Sequence, residues 1–378
     1  MFRSPQRPTW IEIDESALGR NVAEVVRELG GVALMAVVKA DGYGHGAATV
    51  ARVAVGNGAA WVGTATVAEA SQLRRQGVTA PILVLGYTPP EEVLAAVAAN
   101  LAITVFDLAV LEALERAGTA LGQRACAHLE VDTGMSRLGV APEQVATFAV
   151  AASRCAHVDL EGCYTHFRHG ADPLATREQL ARLLRALDAS RGAGVEFRLR
   201  HAANSAAWKT VPEARLDLVR LGIELLGLTT PDGRRREPVL SLRTTVAQVR
   251  EVEAGTFVGY EGGFQAPRAM RIATIPIGYG DGFRRTPSNW GMVLIGGRAR
   301  PLVGHVCMDL AMVDVSDPPE VGASDVVTLL GRDGDARLRA ETVAQRLGTI
   351  NYEVTTALSA RVPRESLSAG IGLAKGPA

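Results

Sequence analysis

The sequence lacks several features that define whole classes of protein. The 40 basic residues balance the 40 acidic residues, so no overall field attracts the chain to nucleic acid. A short basic run at 234–236 is predicted to be a solvated loop. The four cysteines include no C-x-x-C pair, which predicts reduced thiols and no metal centre. There is no apolar run long enough to span a bilayer and no apolar N-terminal signal segment, so we expect a cytoplasmic protein without a membrane partner.

Lysine is also rare, and the position of one lysine is informative. Only 3 of the 40 basic residues are lysines, and the other 37 are arginines. Lys39 follows the apolar run 36–38 and precedes a glycine-rich turn that contains Tyr43. Burial at the end of a strand lowers the pKa of a lysine and makes it a nucleophile or a base. Schiff-base chemistry at Lys39 is the leading hypothesis, and a lysine that merely reaches the surface is the alternative.

Short β-type runs alternate with helix-type segments in the first part of the chain. The β-type runs are residues 33–38, 61–64, 82–85, 103–105, 127–131, 160–164, 197–199 and 217–221, and the helix-type segments include 15–29, 47–55, 67–76, 91–99 and 108–117. Gly77, Gly118 and Gly192 stand where helix C-caps are expected. Eight such strands predict an α/β fold with an N-terminal (β/α)8 TIM-type barrel. A doubly wound open sheet competes, but no Gly-x-Gly-x-x-Gly follows the first run.

The pattern changes after about residue 240. Helical spacing disappears, and β-type segments are separated by glycine pairs and by Pro318-Pro319. These segments are residues 242–252, 256–260, 270–277, 291–295 and 311–315, followed by one clear helix near 340–347. We therefore predict a barrel domain over residues 1–240 and a mostly-β domain over residues 241–378. A first strand at about residues 9–14 is expected to join the sheet of the β domain.

Barrel enzymes carry their chemistry at the C-terminal ends of the strands. In this chain those ends are rich in polar side chains. They are Lys39 and Tyr43 after the first run, Arg137 after the fifth, His166 after the sixth, Ser205 after the seventh and Arg220 in the eighth. A single buried histidine or arginine is more often a structural partner than a catalyst. Six polar groups that converge on one face indicate an active site.

This set of residues suits pyridoxal phosphate. A lysine that forms an imine requires an aldehyde cofactor, which pyridoxal phosphate supplies. Backbone N–H groups and a hydroxyl near Ser205 and Gly222 suit the usual phosphate position of a barrel, and Tyr43 would add a phenolic donor. Arg220 could face the pyridine nitrogen and donate a hydrogen bond without transferring a proton. The cofactor ring would then be a weaker electron sink, which disfavours transamination.

Several long motifs resemble those of the alanine racemase family, whose members are fold-type III pyridoxal phosphate enzymes. The resemblance extends over nearly the whole chain, from Trp10 to Val354, and the motifs occur in the family's order. They are residues 36–46 around Lys39, 131–139, 275–282 around Tyr279, and 307–309. The resemblance implies an N-terminal barrel, a C-terminal β domain and pyridoxal 5'-phosphate as the cofactor.

The resemblance also implies a two-base racemisation of L-alanine and D-alanine. Lys39 would bind the cofactor as an imine and act as the base for the D-enantiomer, while Tyr260 of the partner subunit would serve the L-enantiomer. His166 would link this tyrosine to Arg220, and His201 would support Arg220 from behind. The active enzyme would be a head-to-tail homodimer that supplies D-alanine for peptidoglycan.

Three groups of binding residues are implied by the same resemblance. The residues implied to bind the cofactor are Lys39, Tyr43, Leu85, Arg137, His166, Ser205, Arg220, Gly222, Ile223 and Tyr352. Those implied to contact the substrate are Arg137, Met308 and Tyr260. Those implied to line the substrate access corridor are Asp172, Tyr279, Arg285, His305 and Ile350. The implied site draws on both predicted domains.

The chain departs from the family pattern at three places. Glu130 stands where many members carry a lysine modified by carbon dioxide, so this chain has a permanent carboxylate that could pair with Arg137. Activity should then not depend on bicarbonate. Leu225-Leu226-Gly227 replaces a pattern with tyrosine before the glycine. His305 occupies a corridor position that is usually arginine, and the charge of a histidine can change with pH.

Other functions are compatible with parts of the pattern. A racemase for serine, or for a broader range of amino acids, would use the same scaffold. A related pyridoxal phosphate decarboxylase is a second alternative, and Tyr260 as a second base favours racemisation over it. A pyridoxal phosphate carrier of the single-barrel type is a third, but a carrier would need neither the β domain nor Tyr260.

Overall fold

The structure, a computed structural model, describes residues 7–286 and 289–367. The chain divides into two compact units. Among the described residues, the barrel unit contains 18–43 and 47–236, and the β unit contains 7–17, 44–46, 237–286 and 289–367. Each unit has its own sheet and its own apolar cluster.

After β1 (Trp10–Asp14), which belongs to the β unit, eight parallel strands form the barrel. They are β2 (Ala33–Val37), β3 (Trp61–Thr64), β4 (Ile82–Val84), β5 (Ala102–Val105), β6 (Ala125–Glu130), β7 (Val158–Tyr164), β8 (Leu199–His201) and β9 (Leu218–Leu221). The strand order is β8-β7-β6-β5-β4-β3-β2-β9. Backbone hydrogen bonds from Asp217 to Arg200 (3.0 Å) and from Arg220 to Ala203 (3.1 Å) join the two ends. The predicted TIM-type barrel is therefore confirmed.

Helices connect the barrel strands. They are α1 (Glu15–Leu29), the short left-handed turn α2 (Lys39–Tyr43), α3 (Ala47–Gly56), α4 (Val67–Arg75), α5 (Val93–Ala98), α6 (Leu108–Leu121), α7 (Val145–Ser153), α8 (Pro173–Gly192) and α9 (Ala207–Thr210). Thr66 begins α4 in a capping box with Glu69, and Asp107 caps α6. Within the described ranges, none of the helices has the length and apolar character needed to cross a membrane.

Gly118 does not end a helix, and this prediction was wrong. Helix α6 continues to Leu121, and Gly122 ends it with φ of 65°. A Cβ atom at position 118 would lie 2.6 Å from His157 Cβ and 2.8 Å from Gln123 O. The glycine therefore serves close packing inside the helix, whereas the sequence prediction assumed a left-handed cap.

The interior of the barrel has two chemically different halves. The apolar half consists of the buried residues Met35, Val37, Leu83, Ala102 and Leu218. The polar half consists of the buried residues His128, Glu130, Tyr164, His201 and Arg220. Every second residue of a barrel strand points inward, so alternation along the strands produces both halves.

The β unit is built on a ten-stranded sheet in the described part of the chain. Its strands are β1, β10 (Leu240–Thr245), β11 (Gln248–Val252), β12 (Met270–Ile275), β13 (Met292–Ile295), β14 (Arg298–Val303), β15 (Ala311–Asp314), β16 (Val326–Asp333), β17 (Ala336–Leu338) and β18 (Arg364–Leu367). The order is β11-β12-β15-β14-β13-β16-β10-β1-β18, with β17 beside β16. Strand β1 pairs with β10 and β18. The helices are α10 (Ala340–Leu347) and α11 (Asn351–Thr356).

Some predicted β segments of this unit differ from the observed strands. Residues 242–252 form parts of two strands, β10 and β11, instead of one. The prediction of a strand at 256–260 was wrong, because only an isolated bridge joins Phe257 to Gln265 and a 3-10 turn covers Tyr260–Gly262. Gly259 precedes that turn with φ of 81°, which ends an extended run. The predictions also missed β14, β16, β17, β18 and α11.

Candidate active site

Lys39 lies where strand β2 gives way to a left-handed turn. Alternation along β2 points Met35 and Val37 into the interior, and Lys39 continues this series. Residues 40–43 have φ between 51° and 63°. This conformation costs a non-glycine residue about 1–2 kcal/mol, and strain of this kind concentrates at functional sites. The turn carries the backbone away from the strand immediately after the lysine.

A glutamate from α4 holds this turn in place. One carboxylate oxygen of Glu69 accepts a hydrogen bond from Ala40 N–H (2.8 Å), and the other accepts one from Ala65 N–H (2.8 Å). The carboxylate of Asp41 accepts the first backbone N–H of α3 at 2.9 Å. These bonds offset the strain of the turn and fix the direction in which Lys39 leaves the strand.

The amine of Lys39 is suited to act as a nucleophile or a base. Its pKa is lowered, chiefly because the surrounding protein desolvates the amine and also because Arg137 and Arg220 are positively charged. Glu69 opposes this shift. Solvent still reaches the side chain, so the desolvation is partial. A lowered pKa increases the fraction of unprotonated, reactive amine at neutral pH.

Arg220 is held rigidly in the polar half of the barrel interior. Its buried guanidinium donates to Thr165 O (2.8 Å), to Ala202 O (3.2 Å) and to His201 Nδ1 (2.8 Å). It also lies 5.0 Å from the ring centre of Tyr164, and that ring stacks on His201 at 4.6 Å. Burial lowers the pKa of Arg220 to about 10. The guanidinium therefore remains a cation and a fixed hydrogen-bond donor at neutral pH.

Arg137 adds to the positive charge around Arg220, and His166 lies beside Arg220 as a neutral ring. His166 Nδ1 lies 3.5 Å from Arg220 Nη2. Burial, followed by the charges of Arg220, Arg137 and Lys39, lowers the pKa of His166 to about 3, so this ring is neutral. Arg137 is exposed, and its charge also acts on Lys39 and Arg220. One lysine and two arginines produce a positive potential that suits an anionic ligand.

Glu130 places a buried carboxylate beside these cations. It accepts a hydrogen bond from Tyr164 Oη (3.1 Å), and the same hydroxyl lies 2.9 Å from Thr104 Oγ1. Burial raises the pKa of Glu130, while the bond from Tyr164 and the charges of Arg220 and Arg137 oppose that shift. The hydrogen-bond partner of Glu130 is therefore Tyr164, and Arg137 acts on it through its charge.

Ser205, Gly222 and Tyr43 meet in a part of the barrel unit that is rich in donors. Gly222 N–H lies 3.5 Å from Ser205 Oγ. A Cβ atom at position 222 would lie 2.7 Å from Tyr43 Cε2 and 2.8 Å from its hydroxyl oxygen, so the tyrosine packs directly on this backbone. Ser205, Gly222 and Ile223 are buried. Hydroxyl groups and backbone N–H groups in this arrangement can bind a phosphate group.

The basic run 234–236 is a loop, as predicted, but only Arg235 is exposed to solvent, and Arg234 and Arg236 turn inward. Arg234 donates to Ser205 O (2.7 Å) and pairs with Glu224 (2.9 Å), and Arg236 also pairs with Glu224 (3.0 Å). Glu224 is buried and accepts a hydrogen bond from Trp208 Nε1 (2.6 Å). A buried carboxylate thus draws the arginines inward, and the resulting ion pairs position Ser205.

Several predicted site residues of the β unit are neighbours around Glu261. Its carboxylate lies 3.4 Å from Arg285 Nη2 and 3.6 Å from His305 Nε2. Tyr260 precedes Glu261 in the 3-10 turn and is 63% exposed. Gly259 and Glu261 have φ of 81° and 62°, so left-handed residues flank the tyrosine on both sides. This turn presents the phenol of Tyr260 at the surface of the unit.

Tyr279 and Met308 come from two loops that hydrogen bonds join. Tyr279 N–H donates to Cys307 O (3.0 Å), and the next N–H donates to Met308 O (2.9 Å). The turn that contains Tyr279 is held by buried Asp281, which pairs with Arg361 (3.2 Å). Tyr279 also lines a surface cavity of about 290 Å³ together with Arg285. Five of the predicted substrate and corridor residues therefore share one surface region of the β unit, namely Tyr260, Tyr279, Arg285, His305 and Met308.

The remaining predicted residues have separate positions. Asp172 is the N-cap of α8 and accepts a hydrogen bond from Leu174 N–H at 2.9 Å. Leu85 follows β4, and its carbonyl oxygen lies 3.5 Å from Tyr164 Oη. Ile350 is exposed just before α11, and Tyr352 is half-buried within it. Each position is compatible with the implied role, and the cap gives Asp172 a structural function as well.

Three polar residues of the site region were not singled out from the sequence. Glu69 could have been found, because Thr66-x-x-Glu69 is a capping-box pattern. His128 could also have been found, because it lies two residues before Glu130 on the same strand face. Glu161 could not, because the pairing of β6 with β7 changes register there and alternation fails at a bulge.

A (β/α)8 barrel with a lysine of lowered pKa after its first strand and a fixed arginine in its last is the arrangement expected of a barrel enzyme that uses imine chemistry. Two family models match this chain almost from end to end. The model described as "Alanine racemase, N-terminal domain" matches residues 13–230, and "Alanine racemase, C-terminal domain" matches residues 239–366. The chain belongs to the alanine racemase family and is an isomerase.

Known relatives support this membership over nearly the full length. An alanine racemase from Symbiobacterium thermophilum is 43% identical, covering 95% of this chain and 97% of the relative, and one from Desulfovibrio desulfuricans is 41% identical, covering 95% and 98%. Among solved structures, alanine racemase from Clostridium difficile 630 has a TM-score of 0.91 at 34% identity, covering 96% and 97%. The Bacillus anthracis enzyme with bound L-Ala-P has a TM-score of 0.91 at 35% identity, covering 98% of each chain.

Enzymes of this family depend on pyridoxal 5'-phosphate, and the residues of the barrel unit fit this cofactor. Lys39 offers an amine of lowered pKa to the aldehyde. Arg220 offers a fixed donor that stays protonated. Ser205 and the backbone of Gly222 offer donors for the phosphate. The positive charges of the site complement the anionic cofactor.

Proposed function

We propose that this chain racemises alanine with two bases, one on each face of the substrate. Lys39 serves the D-enantiomer, and Tyr260 of the partner subunit serves the L-enantiomer. Pyridoxal phosphate, when bound, withdraws electrons from the α-carbon and acidifies its hydrogen. A single base tends to return the proton to the face from which it came. Inversion of configuration therefore requires a second base on the opposite face.

The observation that carries this proposal is an amine of lowered pKa together with a locked guanidinium in one site. Lys39 can accept a proton at Nζ and return it to the same face of the substrate. Arg220 donates a hydrogen bond and keeps its proton, so it stabilises negative charge without becoming neutral. Arg137 brings further positive charge, and Ser205 with Gly222 provides donors for the phosphate. Together these groups favour proton transfer at the α-carbon over transamination.

The exposure of Tyr260 supports its assignment to a second copy of the chain. The turn at Gly259 and Glu261 presents the phenol at the surface of the β unit, where it can reach another protomer. A tyrosine base needs positive neighbours, and the cation of Arg220, with the neutral ring of His166 beside it, would provide that field in the barrel unit of the second copy.

A head-to-tail homodimer accounts for the apolar surface of the β unit. The exposed large apolar side chains of this unit include Phe257, Tyr260, Tyr279, Met308, Leu310 and Ile350. Surfaces of this kind usually mark protein interfaces. In our proposal the barrel domain extends to about residue 240, and the β domain after it completes the partner's site. Family membership supports a role in supplying D-alanine for peptidoglycan in the cytoplasm.

The first test measures cofactor and activity on one sample. We expect a visible absorbance band at about 420 nm and loss of optical rotation with L-alanine or D-alanine. L-Serine is the discriminating second substrate. Rapid loss with alanine alone supports the proposal, and equal loss with serine would replace it with a racemase of broader specificity. A band without racemisation would favour a decarboxylase or a carrier.

Mixing two inactive variants tests whether Tyr260 acts in the other protomer. Lys39→Ala and Tyr260→Phe homodimers should each be inactive. After dissociation and reassociation together, half of the dimers are hybrids, and each hybrid has one site with both intact residues. We expect roughly a quarter of wild-type activity to return. No recovery, with hybrid dimers demonstrated, would mean that Tyr260 acts within its own protomer.

Hydrogen exchange in deuterium oxide tests which base serves which enantiomer. Tyr260→Phe retains Lys39, so it should still exchange the α-hydrogen of D-alanine while losing exchange of L-alanine. If Tyr260→Phe instead exchanged L-alanine and lost exchange of D-alanine, Lys39 would serve the L-enantiomer and Tyr260 the D-enantiomer. Mass spectrometry of each recovered enantiomer distinguishes these outcomes.

A further inference from the structure

A chain of hydrogen bonds leads from Arg220 to a distant carboxylate. Arg220 Nη1 lies 2.8 Å from His201 Nδ1, His201 Nε2 lies 2.9 Å from His128 Nδ1, and His128 Nε2 lies 3.3 Å from Glu161 Oε1. The other oxygen of Glu161 accepts a hydrogen bond from Arg198 Nη2 at 2.8 Å. Two imidazole rings therefore connect a buried guanidinium to a carboxylate near the surface.

Donor and acceptor chemistry fixes the position of each proton in this chain. Arginine can only donate, so His201 Nδ1 accepts and the proton of His201 lies on Nε2. That N–H donates to His128 Nδ1, which leaves the His128 proton on Nε2, facing Glu161. Burial lowers the pKa of both histidines, in agreement with neutral rings. The bond from His128 is the main reason why the pKa of Glu161 is lowered to about 2, so Glu161 is ionised.

The surrounding strands hold His128 and Glu161 in this arrangement. Trp61 packs edge-to-face against the His128 ring, with 5.2 Å between the ring centres. Gly162 leaves room for the ring, since a Cβ atom there would lie 2.3 Å from His128 Nδ1. His128 is paired with Gly162 and the preceding residue of β6 with Leu160, so Glu161 is the bulge residue of β7. A bulge redirects a side chain, and here Glu161 reaches a ring that regular alternation would not allow it to meet.

We propose that His201, His128 and Glu161 form a relay of fixed tautomers that orients Arg220 toward the cofactor. This inference rests on the proposed role of Arg220. In residues 7–286 and 289–367 no carboxylate accepts a hydrogen bond directly from Arg220, so the relay is its hydrogen-bonded link to a negative charge. Each ring in the relay polarises the next, which strengthens the acceptor that His201 offers. His128 and Glu161 are positioning residues that act on Arg220 through His201.

A bound metal ion explains the same residues less well. Cys126 Sγ, a ring nitrogen of His128 and a carboxylate oxygen of Glu161 lie within 4.8 Å of one another, and such groups can bind zinc. A metal on His128 Nε2 would move the ring proton to Nδ1, where it would meet the N–H of His201. Burial and the neighbouring Glu161 also raise the pKa of the Cys126 thiol, whereas a metal requires the thiolate.

Nitrogen NMR of the histidine rings in the holoenzyme tests the relay directly. The chain has seven histidines, so isotopic labelling of histidine alone gives a small spectrum. We expect His128 and His201 to carry a proton on Nε2 and none on Nδ1. Glu161→Ala removes the acceptor that holds the His128 proton on Nε2, so a proton on Nδ1 of His128 should also be observed. The matched control Glu115→Gln alters another carboxylate–histidine pair (3.0 Å to His157) and should leave both rings unchanged. A proton on Nδ1 of His201 would overturn the relay.

Racemisation rates test the effect of the relay on Arg220. We expect Glu161→Ala to lower kcat/KM by about tenfold to a hundredfold, as loss of outer hydrogen-bond partners does at other sites. Glu161→Gln keeps one acceptor oxygen and should restore part of the activity, and Glu115→Gln should equal the wild type. Full activity of Glu161→Ala would reject the positioning role. A wild-type protein that racemises no amino acid would reject the proposed function instead, and the ring spectra would still decide the relay.

Discussion

The two halves of the barrel interior occupy similar positions on their strands but contribute differently. Residues of the apolar half stabilise the barrel by burial, which does not depend on direction. Residues of the polar half are joined by hydrogen bonds, which depend strongly on distance and angle. Burying polar groups stabilises little unless every group finds a partner. The comparison indicates that one half supplies stability, while the other fixes the direction of a single cation.

The largest effect is expected when the arginine of the polar half is replaced by an apolar residue. Arg220→Leu should lower kcat by about a hundredfold to a thousandfold, because an electrostatic donor is lost from the site. Racemisation and cofactor absorbance are measured on the same preparation. The control Arg200→Leu removes an exposed arginine paired with Asp217 (2.7 Å) and should remain near wild-type activity. An Arg220→Leu variant that binds cofactor and keeps a tenth of the activity would contradict the comparison.

A truncation in the apolar half should affect stability and spare the chemistry. Leu83 is fully buried, and Leu83→Ala should reduce the free energy of unfolding by about 2–5 kcal/mol. Urea denaturation measures this loss, and activity per folded molecule should stay near the wild-type value. A variant of normal stability with strongly reduced activity would show that this half also directs the site.

Two glycines allow the same substitution to be compared in both halves. A Cβ atom at Gly162 would lie 2.3 Å from the His128 ring, and one at Gly63 would lie 3.0 Å from Leu85 Cδ1. Gly162→Ala should destabilise the protein by about 1–3 kcal/mol and lower activity, because the ring of a hydrogen-bonded chain must move. Gly63→Ala should have a smaller effect, since aliphatic side chains can adjust. Equal losses of activity in the two variants would show that the polar and apolar halves do not differ in their effect on the site.

The polar half should also make the fold sensitive to acid. Burial lowers the pKa of His128, His166 and His201 in the folded state, while an unfolded histidine has a pKa of about 6.5. The unfolded chain therefore binds more protons, and stability is lost as the pH falls below about 6.5. The raised pKa of Glu130 acts in the opposite direction nearer pH 4.5. Urea midpoints measured from pH 8 to pH 5 should decrease, and a flat profile would contradict neutral buried rings.

The smallest expected effect is that of added bicarbonate, for which we expect no change in activity. Glu130 supplies a permanent carboxylate in the polar half, so racemisation should be the same with and without added bicarbonate. Glu130→Gln, which removes the charge but can keep the contact with Tyr164, should lower activity moderately. Stimulation of the wild type by bicarbonate would show that a group other than Glu130 supplies the negative charge at this place.

The barrel could largely be predicted from the sequence, because periodicity locates its elements. Strand β3 and helix α1 have the bounds that were predicted, 61–64 and 15–29. Lys39 and Arg220 were identified because residues at the ends of barrel strands share one face. The β unit was predicted less completely, because arginines interrupt the apolar pattern of β14 and β18 and Gly331 interrupts that of β16.

Features that depend on partners distant in the sequence could not be predicted. Glu161 faces His128 only because a bulge shifts its strand. Arg234 and Arg236 turn inward only because buried Glu224 receives them. Local patterns describe what a segment prefers, and they do not identify the distant group that overrides the preference.

The left-handed turn after Lys39 reverses the usual rules for choosing substitutions. Elsewhere, replacing alanine with glycine loosens a fold, whereas Ala40 already adopts a backbone conformation that glycine reaches without strain. A mutant library that varies residues 40–43 and selects for stability should therefore be enriched in glycine and asparagine, and β-branched residues should disappear from it. Backbone chirality alone thus restricts which sequences can carry a lysine at this point.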